Sequence, residues 1–368
     1  MASVVVNVSG GGGDQPPEDP TDGKTHYWIT IPAEDDTGSG VRYGILFRQS
    51  ASRGVTIDWG DGSATETDTS TSTTLRTHTY SSAGDYEITL TVTSGTVQIL
   101  SGSASYSAVA CVAASTAEPK WNRRVATYVK RVFFGDSVER VGSHACRECP
   151  NIKYVTISEG TTLIDTYAFI QCFSLEYVKL PTSLTFIGSY AFSNCINLKT
   201  INFPNNLRTI SQQAFTACHS LKAVVLPEAA TDITGTSSFS NCTRLESIQL
   251  SPNMTEIPQS FLYGCYSLRE ITIPAGVTKL KNQCFYQCYM LEKVTIPAGV
   301  TSMGTSLFAN CTRLREVHFL GATPPTFSSN IFSSATGADF KIYVPTGSAT
   351  AYSSATNFTS YAQYIVEE

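Results

Sequence analysis

From Cys149 to Phe319 apolar and polar positions return in a fixed order. Cysteines stand at Cys149, Cys172, Cys195, Cys218, Cys242, Cys265, Cys288 and Cys311, at intervals of 23, 23, 23, 24, 23, 23 and 23 residues. Three positions after each comes Ile152, Leu175, Leu198, Leu221, Leu245, Leu268, Leu291 or Leu314. Three positions before come Phe169, Phe192, Phe215, Phe239, Phe285 and Phe308, with Cys146 and Leu262 filling that slot in the other two units. Six and eight positions after the cysteine lie alternating apolar pairs such as Val155 and Ile157, Ile201 and Phe203, and Val294 and Ile296. Alternation over so few residues predicts a short strand with one face buried. Proline follows at Pro181, Pro204, Pro227, Pro274 and Pro297, where it ends the strand because it brings no N–H to the ladder.

One such unit cannot bury a Phe, a Cys, a Leu and two strand residues by itself, but stacked units give each side chain a copy of itself above and below. The pattern therefore predicts a mostly β solenoid of about eight coils of 23 residues. With an advance of ~4.8 Å per coil, the array is on the order of 40 Å long. The cysteine slot faces inward, where a small apolar group with a weak S–H donor suits a tight column.

Upstream the period changes. Val55, Ile57 and Trp59 alternate, Gly60-Asp61-Gly62 reads as a tight turn, and Tyr86, Ile88, Leu90 and Val92 alternate again, which predicts a small β-sandwich. Residues 1–24 join a strand-like Ser3–Ser9 to a Gly/Pro/Asp segment and read as a tail or tether.

With these residues in view, the repeat I-x-x-x-A-F-x-x-C-x-x-L-x-x-V-x-L-P resembles the BspA-like leucine-rich-repeat family of bacterial surface proteins, over roughly Val132 to Phe319. The stretch from Val55 to Val92, with Asp58-Trp59-Gly60-Asp61-Gly62-Ser63, His78-Thr79-Tyr80 and Ala83–Val92, resembles a PKD-type, immunoglobulin-like domain. The closing segment, with Ile342-Tyr343-Val344-Pro345 as a last strand, resembles that family's usual end, and capping an open solenoid is the role expected of it. The expected organisation is a tail at 1–24, a PKD-like sandwich at 25–117, the solenoid at 118–320 and a cap at 321–368, with the junction and an N-terminal cap expected within 101–130.

Charge narrows the partners. A net charge of -5 and a pI near 5.6 give no field that would attract phosphate backbones or an anionic bilayer, so nucleic acid is not expected. No apolar run approaches the ~18 residues of a membrane span. The first residues lack the basic and apolar regions of a secretory signal, so either a signal has been removed or the protein leaves its cell by another route.

Catalytic and metal chemistry find little support. Cys146 and Cys149 form a C-x-x-C, yet they are the Phe slot and the Cys slot of one unit, and no second pair completes four ligands. The eleven cysteines cannot all pair within one chain, and parallel Cβ vectors make bonds between coils geometrically poor, so free buried thiols are expected. The five histidines are scattered, and neither G-x-S-x-G, H-E-x-x-H nor a phosphate loop occurs. No cofactor is expected.

Binding surfaces follow from stacking. The slots two before and one after the cysteine place Tyr263, Tyr266, Tyr286 and Tyr289 on two adjacent coils, either as a contact surface for a protein or glycan or as a shield for the loop edge. The strand face offers Tyr154 and Tyr177 among mixed polar residues. The resemblance implies a non-enzymatic adhesin or binding protein on the cell surface. The alternative is a phage virion structural or host-attachment protein on the virion surface, with residues 1–24 adding a strand to a neighbouring virion or envelope subunit. An enzyme assembled across coils is the third reading.

Overall fold

The alternating segments upstream form the strands of two sheets, seen in a computed structural model that describes residues 16–31, 41–49, 54–72, 74–93, 95–99, 109–111, 129–233, 235–327, 331–334 and 339–368. The strands are β1 (Thr25–Ile31), β2 (Val41–Gln49), β3 (Val55–Asp58), β4 (Glu66–Asp68), β5 (Thr74–Tyr80), β6 (Gly84–Val92), β7 (Val97–Ile99) and β8 (Val109–Cys111). One sheet runs β1-β6-β3-β4, and in the other β2 pairs with β5, β7 and β8. Tyr27, Ile29, Ile57, Ile88 and Leu90 face Tyr43, Ile45, Phe47, Val97 and Ile99 in a buried interior, as period two demands. Gly60 makes the turn after Trp59 with φ 79°, and a Cβ there would lie 2.4 Å from the Glu87 carbonyl oxygen, so only glycine fits.

The sandwich does not end before the solenoid begins. β1 also pairs antiparallel with β9 (Val129–Phe134), and β7 pairs parallel with β10 (Val138–Val141). Each sheet of the sandwich thus runs on into a sheet of the solenoid. The approach is close: a Cβ on Gly135 would lie 2.3 Å from the Gly23 carbonyl oxygen. The expected junction and N-terminal cap fall largely on residues 101–108 and 112–128, outside the described residues, while β1 and β7 themselves cover the edges of the first coil.

Beyond β9 the strands of the long face recur at Tyr154–Ile157, Tyr177–Lys179, Thr200–Ile201, Ala223–Val225, Ser247–Gln249, Glu270–Thr272, Lys293–Ile296, Glu316–Phe319 and Lys341–Val344, in three paired runs that break after Thr200–Ile201 and after Ser247–Gln249. The eight cysteine-bearing coils are therefore preceded by one further solenoid rung, β9, and followed by two, Lys341–Val344 and Ile365–Glu367, which pair in parallel. A second ladder of two-residue strands, from Leu163–Ile164 to Thr326–Phe327, carries the apolar anchors. It is interrupted in the single 24-residue interval, where only an isolated bridge joins Thr209 to Asp232.

Each coil turns through two left-handed residues, five and one before the cysteine, such as Tyr167 and Gln171, Tyr190 and Asn194, or Gln283 and Gln287. None of these slots holds a β-branched residue, which that conformation would strain. The turn aims alternate N–H groups at the next coil: Tyr167 donates to Ser189 O at 2.9 Å, Phe169 to Ala191 O at 2.7 Å and Gln171 to Ser193 O at 2.8 Å.

Inside, like stacks on like. Phe169, Phe192, Phe215 and Phe239 form a column with ring centroids 5.1, 5.2 and 5.2 Å apart, close to the spacing of strands in a sheet. The column breaks where Leu262 takes the Phe slot, and Phe261 meets Phe239 edge-on at 82°. At the far end, helix α1 (Ala349–Ser354) and a short 3-10 helix at Thr359–Tyr364 lay Tyr352 and Phe358 against Phe319, and Tyr361 against Phe332.

Candidate functional site

The tyrosine quartet sits on the loop edge, where the inter-coil ladder fixes its spacing. Asn241 N donates to Tyr263 O at 2.6 Å and Gly264 N to Tyr286 O at 2.8 Å, which holds consecutive turns in register. The Tyr263 and Tyr286 rings consequently stack at 4.9 Å and 10°, and Tyr266 and Tyr289 lie at 4.9 Å and 33°. Asn310 Nδ2 donates to the Tyr286 hydroxyl at 3.0 Å. Tyr266 is 37% exposed, whereas the other three are half-buried. Partial burial and the three neighbouring phenols raise the Tyr263 hydroxyl above its ordinary pKa, so the group stays a neutral donor and acceptor. The quartet presents ring edges and hydroxyls together, with little rotamer entropy left to lose.

Tyr154 and Tyr177 are direct register partners on consecutive rungs of the strand face. They lie about five rungs from the quartet, on the order of 24 Å at the usual strand spacing. The two groups are separate surfaces.

The cysteine slot behaves as a structural ladder. Cys172, Cys195, Cys218, Cys242, Cys265, Cys288 and Cys311 each donate from Sγ to a carbonyl of the preceding coil, at 3.1 to 3.3 Å. Cys146, Cys149 and Cys284 are likewise buried and unbridged. Burial raises the thiols of Cys146, Cys172, Cys195, Cys218, Cys265, Cys284 and Cys288, and pushes Cys242 and Cys311 up to about 12. Among the described residues no group of three His, Cys, Asp or Glu is arranged to hold a metal ion. No described helix is long and apolar enough to cross a membrane.

Two features escape the slots read from the sequence. His144, Tyr167 and Tyr190 form a second column, with centroids 4.9 Å apart at each step, in the left-handed slot five before the cysteine. Its signal was the 23-residue interval between the two tyrosines. The other is an ion cluster on the strand face, where residues expected to form a tether lie against the solenoid. Arg131 Nη2 donates to Pro17 O, Glu18 O and Asp19 Oδ1, and Thr156 Oγ1 and Lys179 Nζ also reach Asp19. Residues 1–15, including the strand expected at Ser3–Ser9 and its docking to a virion or envelope subunit, lie outside the described residues.

Comparison with known proteins agrees with this geometry. Residues 126–236 and 232–338 match the BspA type leucine rich repeat region, and residues 25–96 match the PKD domain. No curated protein gives a significant match. A leucine-rich repeat protein from Bacteroides ovatus superposes with a TM-score of 0.54 at 22% identity, covering 69% of this chain and 70% of that one, which supports the fold. The leucine rich repeat protein of T. pallidum is 26% identical over 50% of this chain and 77% of its own, with a TM-score of 0.38. The pneumococcal vaccine antigen PcpA is 21% identical over 65% and 68%, with a TM-score of 0.41. With the family match spanning more than half its length, the chain belongs to the BspA-type leucine-rich-repeat proteins and carries a PKD domain at its N-terminal side.

Proposed function

We propose that this protein is a non-enzymatic adhesin or binding protein, exposed at a surface, that recognises a host protein or glycan through its solenoid. The observation that carries this reading is the quartet of Tyr263, Tyr266, Tyr286 and Tyr289, two stacked pairs on adjacent coils at the loop edge. Rings held at fixed spacing by the backbone ladder give a preorganised surface, which lowers the entropy cost of binding. Membership of a leucine-rich-repeat family supports a binding role, because repeat stacking produces extended contact surfaces rather than a closed reaction site.

The test is attachment of the purified full chain to host-cell proteins and glycans, with and without the double substitution Tyr263→Ala and Tyr286→Ala. The reading expects at least a tenfold loss of attachment with the circular dichroism spectrum unchanged. Undiminished attachment by the folded double variant removes the quartet as the contact surface.

A further inference from the structure

On the strand face, three consecutive rungs contribute one polar side chain each to a single carboxylate. Arg131 belongs to β9, Thr156 to Tyr154–Ile157 and Lys179 to Tyr177–Lys179. Asp19 Oδ1 accepts from Arg131 Nη2 at 3.1 Å and from Thr156 Oγ1 at 2.8 Å, and Asp19 Oδ2 accepts from Lys179 Nζ at 2.8 Å. The cradle is built rather than incidental: the Thr156 residue is 5% exposed and the Arg131 side chain 11%. Arg131 also stacks over the Trp28 ring at 4.4 Å and takes the carbonyls of Pro17 and Glu18.

An aromatic row runs beside the cradle and crosses the seam. Register places Trp28 opposite Arg131, Arg131 opposite Tyr154, and Tyr154 opposite Tyr177. The occupant is Pro16-Pro17-Glu18-Asp19-Pro20, a proline-rich acidic stretch whose carbonyls and single seated carboxylate are read as an extended peptide would be. Such contacts need only a chain of this chemistry, not its covalent continuity with β1.

We propose that the Arg131–Thr156–Lys179 cradle, with the row Trp28, Tyr154 and Tyr177, is a binding site for extended acidic, proline-containing peptide segments of a partner protein, held in this structure by the chain's own Pro16–Pro20. The site lies on a different face from the tyrosine quartet and goes beyond the attachment role assigned there. The short link from Pro20 to β1 gives the internal segment an effective concentration of order millimolar, so a partner peptide must outcompete it. The turn at Asp22–Lys24 is itself fixed, since Asp22 accepts from Lys24 N at 3.1 Å and Gly23 O accepts from Asp136 N at 3.0 Å. This geometry favours occupation within one chain over exchange of arms between two copies.

The experiment titrates a fluorescent peptide of sequence Pro-Pro-Glu-Asp-Pro into the full chain and follows anisotropy. Asp19→Asn weakens the internal segment, so this variant binds the peptide at least tenfold more tightly than the parent chain does. Adding Lys179→Ala to Asp19→Asn reverses that gain, and a peptide with Asn in place of its Asp binds at least tenfold more weakly. Hydrogen exchange over residues 16–24 rises in Asp19→Asn if the segment has been released. Equal binding by the parent and a released Asp19→Asn chain overturns the proposal. So does equal binding of the Asp and Asn peptides. Unchanged exchange at 16–24 shows that the carboxylate does not hold the segment, and it overturns the proposal as well.

Discussion

Cys195 donates its thiol hydrogen to the carbonyl oxygen of Phe169, 26 residues earlier and one coil below, at 3.2 Å. The same oxygen accepts from Cys172 N at 3.3 Å, so the thiol adds a second bond to a carbonyl that is already paired. This division of labour sets the size of the mutational effect. Cys195→Ala removes buried sulfur and a weak bond without orphaning the acceptor, and it costs about 1 kcal/mol. Cys195→Val adds volume between the coils above and below and costs about 1–3 kcal/mol. Denaturant midpoints measure both, and an alanine more costly than the valine contradicts the tight-column reading.

Protonation follows from the same burial. The Cys242 and Cys311 thiols, with an ordinary value of 9.0, are pushed up to about 12 in the folded chain. Above pH 9 the unfolded chain loses these protons while the folded chain keeps them. Their stabilising contribution is therefore full below pH 9 and is lost as pH rises towards 12, by about 1.4 kcal/mol per pH unit for each thiol. Urea titrations at pH 7, 9 and 10 are expected to show a small loss over the first interval, about 0.4 kcal/mol per thiol, and a steeper one of about 1 kcal/mol per thiol over the second. At pH 7.5 a small disulfide reagent is expected to label none of the ten described thiols until the chain is unfolded.

Much of this was legible because a solenoid repeats its errors as faithfully as its successes. The slot of Cys195, the column of Phe169 and Phe192, and the strand pair of Val155 and Ile157 could be read from spacing alone, since each contact joins residues one interval apart. The tyrosine quartet was legible for the same reason. Asp19 was not, because its partners Arg131, Thr156 and Lys179 lie 112, 137 and 160 residues away and share no period with it. The pairing of Trp28 with Arg131 was hidden likewise, since it joins two modules whose sequence periods differ.

The left-handed slots give a sharper backbone test. Gln171 has φ 60° and donates its N–H to Ser193 O at 2.8 Å. Gln171→Val forces a β-branched residue into that conformation and costs about 1–2 kcal/mol. Gln171→Gly relieves the strain while freeing the unfolded chain, and the two effects leave stability within about 0.5 kcal/mol of the parent. Thermal midpoints rank the variants, and a valine as stable as the glycine contradicts the assignment of these turns.

The seam between sandwich and solenoid makes a prediction about cooperativity. An immunoglobulin-like module joined by a linker would unfold independently, yet here β1 shares seven backbone partners with β6 and also pairs with β9, while β7 bridges β2 and β10. Tyr27 from the sandwich meets Phe134 from the solenoid edge-on at 6.4 Å, so the interior crosses the seam together with the ladders. Melting the sandwich would strip both edges of the first coil and expose them to water, and neighbouring coils depend on that coil for their own burial. Calorimetry of the full chain is expected to show the sandwich and the first coils unfolding in one transition. Replacing Val132 with Asp at the centre of the β1–β9 pairing should lower that transition as a whole. A sandwich that melts separately, at an unchanged temperature in Val132→Asp, would show that the shared sheets carry no coupling.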